Sequence, residues 1–243
     1  MNDSVPAIAR NELAPGGRLR VGVNLGNFLL VNKDPASGDL RGIVPDLARE
    51  LALRLGATAE LVSYPGAGQV ADAGAAGAWD VGFIGAEPQR AAAIEFTPAY
   101  VQIPATYLVP AGSPIRHIDE VDRPGIRIAT SARSAYDLYL TRNLKHAQLV
   151  RAEGLPASFD LFVAEKLDVL SGLLPRLTSE AARLPGARIL EGRFTAVQQA
   201  IGTPKARAAG AAYLREFVAD IKASGLVASL IARYAVKGIS VAP

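Results

Sequence analysis

Regularly spaced hydrophobic positions divide the first hundred residues into strands and helices. Apolar side chains alternate with polar or small ones along Leu19–Asn24, which predicts a first strand. Between Val44 and Leu55 they recur every three or four residues, which predicts one face of a helix that ends at Gly56. Further strands are predicted at Ala59–Tyr64 and Asp80–Ile84, with a short glycine- and alanine-rich helix between them. This strand–helix alternation is typical of a mostly parallel sheet covered by helices.

The same alternation starts again in the second half of the chain. Its predicted elements are a strand at Ile126–Thr130, a helix from the N-cap Ser134 to Thr141, a strand at Ala147–Ala152, a helix at Ala157–Glu165 and a strand at Leu167–Ser171. Two extended runs, Val101–Val109 and Phe194–Gly202, connect this set to the rest. A long helix ending near Gly225 and a final helix at Leu226–Tyr234 close the chain, with no new strand.

The pattern therefore predicts an α/β fold with two lobes. Each lobe is expected to be a mostly parallel sheet flanked by helices, and the two extended runs would act as hinges of a clamshell. Lobe 1 comprises residues 18–104 plus 198–243, and lobe 2 comprises residues 105–197. Residues 1–17 are predicted to be a polar lead-in that ends at a Pro-Gly-Gly sequence.

Composition removes several classes of function. Half of the 243 residues are hydrophobic and a fifth are charged, as in soluble globular proteins. The net charge is +3 and the basic residues are scattered, so no nucleic-acid partner is predicted. Without cysteine, disulfides and thiolate chemistry are excluded, and the two histidines, His117 and His146, stand apart from each other. We therefore predict no metal site, no cofactor and no catalytic triad.

The chain has no segment suited to the membrane. No stretch approaches the roughly 20 apolar residues that a spanning helix needs, so no membrane insertion is predicted. The first 20 residues contain no charged region followed by an apolar core, so they do not form a secretory leader. Two locations stay open: the periplasm, if a leader has been removed, or the cytoplasm.

Four segments, in this order, resemble the family 3 solute-binding proteins of ABC transporters. They are Leu19–Asn24, Gly42–Ala48 with its Asp46, Trp79–Tyr100 with its Pro-Gln-Arg turn and Phe-Thr-Pro-Ala-Tyr segment, and Leu167–Leu170. The resemblance runs from Leu19 to about Tyr234, nearly the whole chain. It implies the type II periplasmic-binding-protein fold, a small carboxylate-bearing ligand such as an amino acid or related organic acid, a permease partner and a monomeric protein.

The resemblance assigns the ligand carboxylate to Arg90. A guanidinium forms two parallel, charge-assisted hydrogen bonds to a carboxylate, which lysine does not. The alternative is a surface arginine on a short helix, Gln89–Ala93. Gly85 occupies the position where amino-acid binders carry a threonine, so one donor is missing. Glu87 is expected to pair with Arg90 in the empty site, to hold a cationic part of the ligand, or to be a solvated side chain.

The remaining candidate ligand-binding residues surround the ends of predicted strands. They are Asn24, Asn27, Phe28 and Tyr64 in lobe 1 and Arg133, Ser134 and Ser171 in lobe 2. Phe28 and Tyr64 would form an aromatic wall or belong to the core. The helix start at Ser134 favours an anion, or Ser134 serves as a cap alone. Ser171 and Gly172 stand where amino-acid binders place the aspartate that holds the ammonium group, so the ligand is predicted to be a small carboxylate, with an amino acid only one option.

Three other functions use a similar scaffold. A cyclohexadienyl-dehydratase-like enzyme needs a general acid, for which Glu87 is the one candidate, so we predict no catalytic residue. A LysR-type effector domain needs a winged helix ahead of it, and the 17 residues before the first strand are too few for one. The third alternative, a cytoplasmic orphan binder or sensor, depends on whether the protein is located in the cytoplasm or the periplasm.

Overall fold

The computed structural model describes residues 5–243. Its strands are β1 (Arg18–Asn24), β2 (Asn32–Lys33), β3 (Leu40–Arg41), β4 (Thr58–Tyr64), β5 (Val81–Gly85), β6 (Ile94–Phe96), β7 (Val101–Val109), β8 (Arg127–Ser131), β9 (Gln148–Ala152), β10 (Val169–Leu173), β11 (Arg188–Ile189), β12 (Thr195–Pro204) and β13 (Ser240–Val241). Its α-helices are α1 (Ala7–Leu13), α2 (Ile43–Leu55), α3 (Ala67–Ala75), α4 (Ala135–Asn143), α5 (Leu155–Ala164), α6 (Leu174–Ala181), α7 (Ala208–Ala223) and α8 (Leu226–Arg233). The predicted mixed α/β architecture is confirmed. Among these helices, none is long and apolar enough to cross a membrane.

Contacts divide the chain into two compact units. Unit 1 continues to Gln102 and also contains Gln198–Val236 and Ser240–Pro243, whereas unit 2 contains Ile103–Val197 and Lys237–Ile239. The boundary between Gln102 and Ile103 lies inside β7, and the boundary between Val197 and Gln198 lies inside β12. Each of these two long strands therefore supplies residues to both units.

The sheet of unit 1 is centred on β1 and β5. Its strands follow the order β4–β1–β5–β12, with β1 parallel to both β4 and β5 and β12 antiparallel to β5. The alternating apolar residues of β1 are fully buried. All five residues of β5 are buried, which is expected of a strand covered on both faces. Helix α2 ends where predicted, because Gly56 adopts the left-handed conformation of a C-cap.

An ion-pair cluster ties the start of β5 to two other parts of unit 1. Asp80 is fully buried and receives two hydrogen bonds from the Arg20 guanidinium, at 2.9 and 2.8 Å. Its Oδ1 also lies 2.7 Å from Nη1 of Arg207, just before α7. Burial would raise the pKa of Asp80, but hydrogen bonds from Arg20 and Arg207 outweigh it and lower that pKa below its usual value. The carboxylate therefore stays ionised.

The segment before β1 is structured, although the sequence predicts only a polar lead-in for residues 1–17. Residues 1–4 lie outside the described part, but α1 packs against α7. Ala9 and Leu13, four residues apart, are fully buried, and Glu12 Oε2 accepts a 2.7 Å hydrogen bond from the Gly210 N–H. Gly210 permits this approach, since a Cβ there would lie 2.8 Å from Leu13. Two buried residues are too few to produce a readable apolar pattern.

In unit 2 the strands pair in the order β7–β10–β8–β9, and β11 also pairs with β7. Strands β8, β9 and β10 are parallel, and β7 is antiparallel to β10. Two apolar clusters form the core of unit 2. One contains Tyr107 and Ile128, and the other contains Leu108 and Phe162.

Helix α6 and the two-residue strands β11 and β13 were not expected from the sequence. Strand β13 pairs with β7 at Val101 and Gln102. The predicted end of the chain without a new strand is therefore wrong.

Candidate functional site

The parallel strands of unit 1 end at one edge of the sheet, where several predicted ligand-binding residues lie. Strands β1, β4 and β5 end at Asn24, Tyr64 and Gly85. Asn24 is directly opposite Tyr64 in the β1–β4 pairing, and Val23 is opposite Phe83 on the other side. Ligands of α/β sheets bind at such carboxyl edges. This edge is the candidate site of unit 1.

The loop after β1 is fixed by short hydrogen bonds. Asn24 Oδ1 accepts a 3.0 Å hydrogen bond from the Gly26 N–H, and the Leu25 N–H donates to the Tyr64 carbonyl at 2.9 Å. A Cβ at position 26 would lie 2.8 Å from the Pro65 carbonyl oxygen, so only glycine fits there. The Asn24 side chain thus closes the turn, and the Leu25 backbone holds the loop against the end of β4.

Asn27 is the polar side chain in this loop that the fold leaves unsatisfied. It is 6% exposed, and its Oδ1 is buried without a hydrogen-bond partner. A buried unsatisfied acceptor costs about 1–3 kcal/mol. Such a group at a candidate site is suited to a donor on a ligand. The neighbouring Phe28 is half-buried.

Arg90 is buried at the same edge. It is 6% exposed, and its Nη1–H donates a 2.7 Å hydrogen bond to the carbonyl of Gly85, five residues earlier. Instead of the expected helix Gln89–Ala93, a single 3₁₀ turn at Arg90–Ala92 positions it. Arginine is rarely buried unless it is paired. The burial of Arg90 therefore argues against the alternative that it is an ordinary surface residue.

Glu87 and Tyr64 complete the predicted set in unit 1. Glu87 is half-buried, and its backbone carbonyl accepts the N–H of Arg90 at 2.9 Å, which closes the turn. Tyr64 is half-buried and packs against the buried cluster that contains Val70 and Trp79. Part of the Tyr64 ring therefore belongs to the core.

The second group of predicted residues lies at the carboxyl edge of unit 2. Strand β8 ends at Ser131, and Ser134 follows as the N-cap of α4, accepting a 3.1 Å hydrogen bond from the Asp137 N–H. The predicted capping role of Ser134 is confirmed. Arg133 is exposed and has a left-handed backbone, with φ 58°, an uncommon conformation outside glycine and asparagine.

Asp137 already supplies a negative charge at the start of α4. It is buried, its Oδ2 accepts the Arg133 N–H at 2.8 Å, and its Oδ1 pairs with Arg151 at 2.9 Å. Sequence reasoning missed this residue, although the spacing of Ser134 and Asp137 is that of a capping box. The helix start that was expected to favour an anion therefore contains its own carboxylate.

Ser171 lies inside β10 rather than after it. It is buried, and its hydroxyl donates a 3.0 Å hydrogen bond to the Ala129 carbonyl of β8. The residue at the end of the strand is Leu173. Ser171 therefore has a structural hydrogen bond within the sheet, and the end of the strand has no acidic residue.

Four further polar residues in this part of unit 2 were not predicted: Tyr136, Arg176, Glu180 and Arg183. Tyr136, in the first turn of α4, is 3% exposed, and its buried hydroxyl lies near the hydroxyls of Ser131 and Ser134. Burial raises its pKa to about 12, against the opposing effect of the nearby Ser134 and Ser131 hydroxyls. On α6, Glu180 is 1% exposed and forms ion pairs with Arg176 and Arg183. The spacings of four residues from Arg176 to Glu180 and of three from Glu180 to Arg183 are visible in the sequence, but the burial of Glu180 is not.

The comparison with protein families gives one match over most of the chain. The sequence model of the bacterial extracellular solute-binding proteins, family 3, matches residues 19–237. Among curated proteins, none matches the sequence closely enough to count as a relative.

Solved structures share the fold at low sequence identity. The solute receptor for L-cysteine of Neisseria gonorrhoeae is 20% identical, with a TM-score of 0.79 and 96% of each chain covered. A putative binding component of an ABC transporter from Wolinella succinogenes, complexed with lysine, is 22% identical, with a TM-score of 0.75 and coverage of 90% of this chain and 95% of that one. An ancestral amino acid-binding protein, a precursor of cyclohexadienyl dehydratase, is 20% identical, with a TM-score of 0.76 and coverage of 93% and 98%.

Proposed function

The chain belongs to the bacterial extracellular solute-binding proteins of family 3, and on that basis we propose that it captures a small carboxylate-bearing solute for an ABC transporter. The solute is an amino acid or a related organic acid. The observation that carries this proposal is the burial of Arg90 at the carboxyl edge of the parallel strands of unit 1.

Arg90 has the chemistry and the rigidity that a carboxylate anchor needs. Its hydrogen bond to the Gly85 carbonyl fixes one edge of the guanidinium, and the 3₁₀ turn fixes its backbone. A cation held in this way is oriented before the ligand arrives, which lowers the entropy cost of binding. Asn24, at the end of β1, and Asn27, in the loop that follows, are the polar side chains proposed to orient the rest of the solute.

The related structures support an amino acid among the candidate solutes. One is a receptor for L-cysteine and another is complexed with lysine. In this chain β10 ends at Leu173, so unit 2 offers no acidic residue at that strand end to hold an ammonium group. We therefore propose that organic acids without an amine compete with amino acids for the site.

Titration calorimetry with amino acids and organic acids tests this proposal, starting with L-cysteine and L-lysine and continuing with acids that lack the amine. We expect at least one of these solutes to bind, and Arg90→Ala to weaken it about 10- to 100-fold, the contribution of a hydrogen bond to a charged group. Arg90→Lys is expected to restore only part of the affinity. Arg10→Ala, at an exposed position of α1, is the matched control and should bind as the wild type does. Equal affinities of wild type and Arg90→Ala would contradict the role of Arg90, and a lack of binding by every acid would contradict the proposed function.

We further propose a periplasmic location, a permease partner and a monomeric state. Fractionation of cells that express the full-length gene tests the location, and loss of uptake of the identified solute on deletion of the gene tests the transport role. Light scattering at the mass of one chain, 25.4 kDa, tests the monomer.

The binding role predicts no turnover of prephenate or arogenate. The dehydratase alternative is favoured only by the likeness to the ancestral precursor, and its one candidate acid, Glu87, is half-buried. Incubation of the pure protein with either compound, followed by chromatography, decides between the two functions. Product formation that Glu87→Gln abolishes would support the enzyme.

A further inference from the structure

Arg90 lies in a segment that connects two strands of the unit 1 sheet. Residues 86–93 lead from the end of β5 to the start of β6, and the 3₁₀ turn that contains Arg90 lies within them. Strand β12 lies between these two strands, because its Gly202 pairs with Gly82 of β5 on one side and with Phe96 of β6 on the other. Both strands that flank the Arg90 segment are therefore fixed to the same third strand.

Backbone hydrogen bonds hold the two ends of this segment. At its start, the Ala86 N–H donates to the Gln198 carbonyl of β12 at 2.7 Å. At its end, the Ala93 carbonyl accepts the N–H of Lys205, the residue after β12, at 3.2 Å. Arg90 therefore lies between two points of attachment.

Thr97, the residue after β6, completes the attachment with its side chain. Continuing the β6–β12 register by one residue places it opposite Ile201, and its N–H donates to the Ile201 carbonyl at 2.9 Å. A regular antiparallel pair would return the Ile201 N–H to the carbonyl of the opposite residue. Here that N–H donates to Thr97 Oγ1 at 3.1 Å, and the Thr97 hydroxyl donates to the Pro98 carbonyl at 2.8 Å. The hydroxyl of Thr97, which is 6% exposed, therefore closes the end of the β6–β12 ladder.

The apolar contact between β6 and β12 is also close. A Cβ at Gly202 would collide with Cγ2 of Ile94 and would lie 3.0 Å from Cε1 of Phe96. Ile94 is 1% exposed and belongs to the buried cluster around Trp79. Because Arg90 precedes Ile94 by only four residues, a shift of β6 relative to β12 would displace the Arg90 turn.

We propose that Thr97 is a positioning residue for Arg90. Its hydroxyl fixes β6 to β12 and so holds the guanidinium at the carboxyl edge of the unit 1 sheet. This inference rests on the proposed function, in which Arg90 anchors the carboxylate of the solute. Rigid placement of such an anchor lowers the entropy cost of binding. Thr97 therefore acts on affinity through Arg90, without a contact of its own with the solute.

Hydrogen exchange in the absence of solute measures the positioning directly. Thr97→Val keeps the shape of the side chain but leaves the buried Ile201 N–H without its acceptor. We expect peptides within residues 86–97 to exchange at least about fivefold faster than in the wild type, with peptides of α2 unchanged. Thr97→Ser, which keeps the hydroxyl, should exchange as the wild type does. Unchanged exchange of residues 86–97 in Thr97→Val would overturn the inference.

Calorimetry with L-cysteine, L-lysine and the acids without an amine then measures the effect on binding. For each acid that binds the wild type, Thr97→Val should weaken the affinity about three- to tenfold, a part of the loss expected for Arg90→Ala. In the Arg90→Ala background the same change should have no further effect, because Thr97 acts through Arg90. Thr97→Ser should recover the affinity of the wild type.

Thr106→Val, in unit 2, is the matched control. The Thr106 hydroxyl is also buried and donates to a backbone carbonyl, that of Leu190, at 3.1 Å. We expect this variant to lower Tm as Thr97→Val does but to keep the affinity of the wild type, which separates positioning from a general loss of stability. If Thr97→Val does not fold, Gly202→Ala displaces β6 by collision with Ile94 and should weaken the same acids.

The possible results separate the positioning role from the proposed function. Wild-type affinity in Thr97→Val or in a folded Gly202→Ala, an equal loss in the wild-type and Arg90→Ala backgrounds, or an equal loss in Thr106→Val would overturn the positioning role and leave the carboxylate-binding role. Failure of every acid to bind the wild type would overturn the proposed function, and hydrogen exchange alone would then decide whether Thr97 holds the Arg90 turn.

Discussion

Several charged side chains of this chain are buried, and each depends on its partners. Arg90 is held by a backbone carbonyl, Asp137 by a backbone N–H and an arginine, and Asp80 by two arginines. Removing one partner of a buried pair costs about 3–5 kcal/mol, because the other charge stays buried and unpaired. At the scale of residues, the proposed carboxylate anchor and the stability of the fold depend on the same kind of contact.

Asp80→Asn is expected to destabilise the protein by about 3 kcal/mol, since Arg20 and Arg207 lose their shared carboxylate. Because the pKa of Asp80 is lowered in the folded state, its stabilising effect is fully present above the unfolded value near 3.9 and is lost as the pH falls through the folded value. Urea unfolding at pH 7 and at decreasing pH measures both effects.

Comparing Asp80→Asn with the wild type separates the effect of Asp80 on the pH dependence of stability from that of the other acidic groups. Asp80→Asn should lose less stability on acidification than the wild type, because one protonation linked to unfolding has been removed. Identical pH dependences of wild type and variant would contradict a lowered pKa for Asp80. An unchanged free energy of unfolding at pH 7 would show that the cluster does not stabilise the fold.

At the scale of elements, helix α1 shows how a short segment depends on tertiary contacts. Seven residues are too few for a stable isolated helix, so its packing against α7 must supply the stability. Leu13→Ala, at a fully buried position, is expected to destabilise the protein by about 2–5 kcal/mol. Ile8→Ala, on the exposed side of the same helix, should change it by less than about 0.5 kcal/mol. Equal, small effects in thermal or urea unfolding would show that α1 does not belong to the cooperative core.

The elements that the sequence predicts are those with a long apolar repeat. Strand β1 and helices α2 and α7 bury regular stripes and β5 is buried throughout, so their positions follow from the spacing of hydrophobic residues. Helix α6 has eight residues with a buried glutamate, and β11 and β13 have two residues each. The two short strands are determined by pairing with β7, which lies far away in the chain, and no local pattern contains that pairing.

In the candidate site, too, some residues can be predicted from the sequence, whereas their contacts and burial cannot. Arg90 follows from its flanking residues and Ser134 from its position before a helix, so both are visible in the sequence. The partner of Arg90 is a backbone carbonyl, and the pairing of Asp80 with Arg207 joins residues far apart in the chain. The burial of Tyr136 and Glu180 likewise arises only after α4, α5, α6 and β10 have packed together.

On the scale of the whole molecule, two strands supply residues to both units. Because β7 and β12 change unit within their lengths, unfolding of one unit removes ordered residues from a strand of the other. We therefore expect one cooperative transition. The only tryptophan, Trp79, is fully buried in unit 1, so its fluorescence reports that unit, whereas far-ultraviolet circular dichroism reports both. The two melting curves should coincide, and separate midpoints would contradict cooperative unfolding.

A bound solute should then stabilise the whole chain. At a free ligand concentration of 100 times Kd, binding adds about 2.7 kcal/mol to the free energy of unfolding. At about 2–4 °C per kcal/mol for a chain of this size, Tm should rise by about 5–10 °C. Because one cooperative transition is expected, the Trp79 fluorescence and the circular dichroism curves should shift by the same amount. A shift of the fluorescence curve alone would show that the solute stabilises unit 1 without unit 2, and a full shift in Arg90→Ala would show that it binds without the guanidinium.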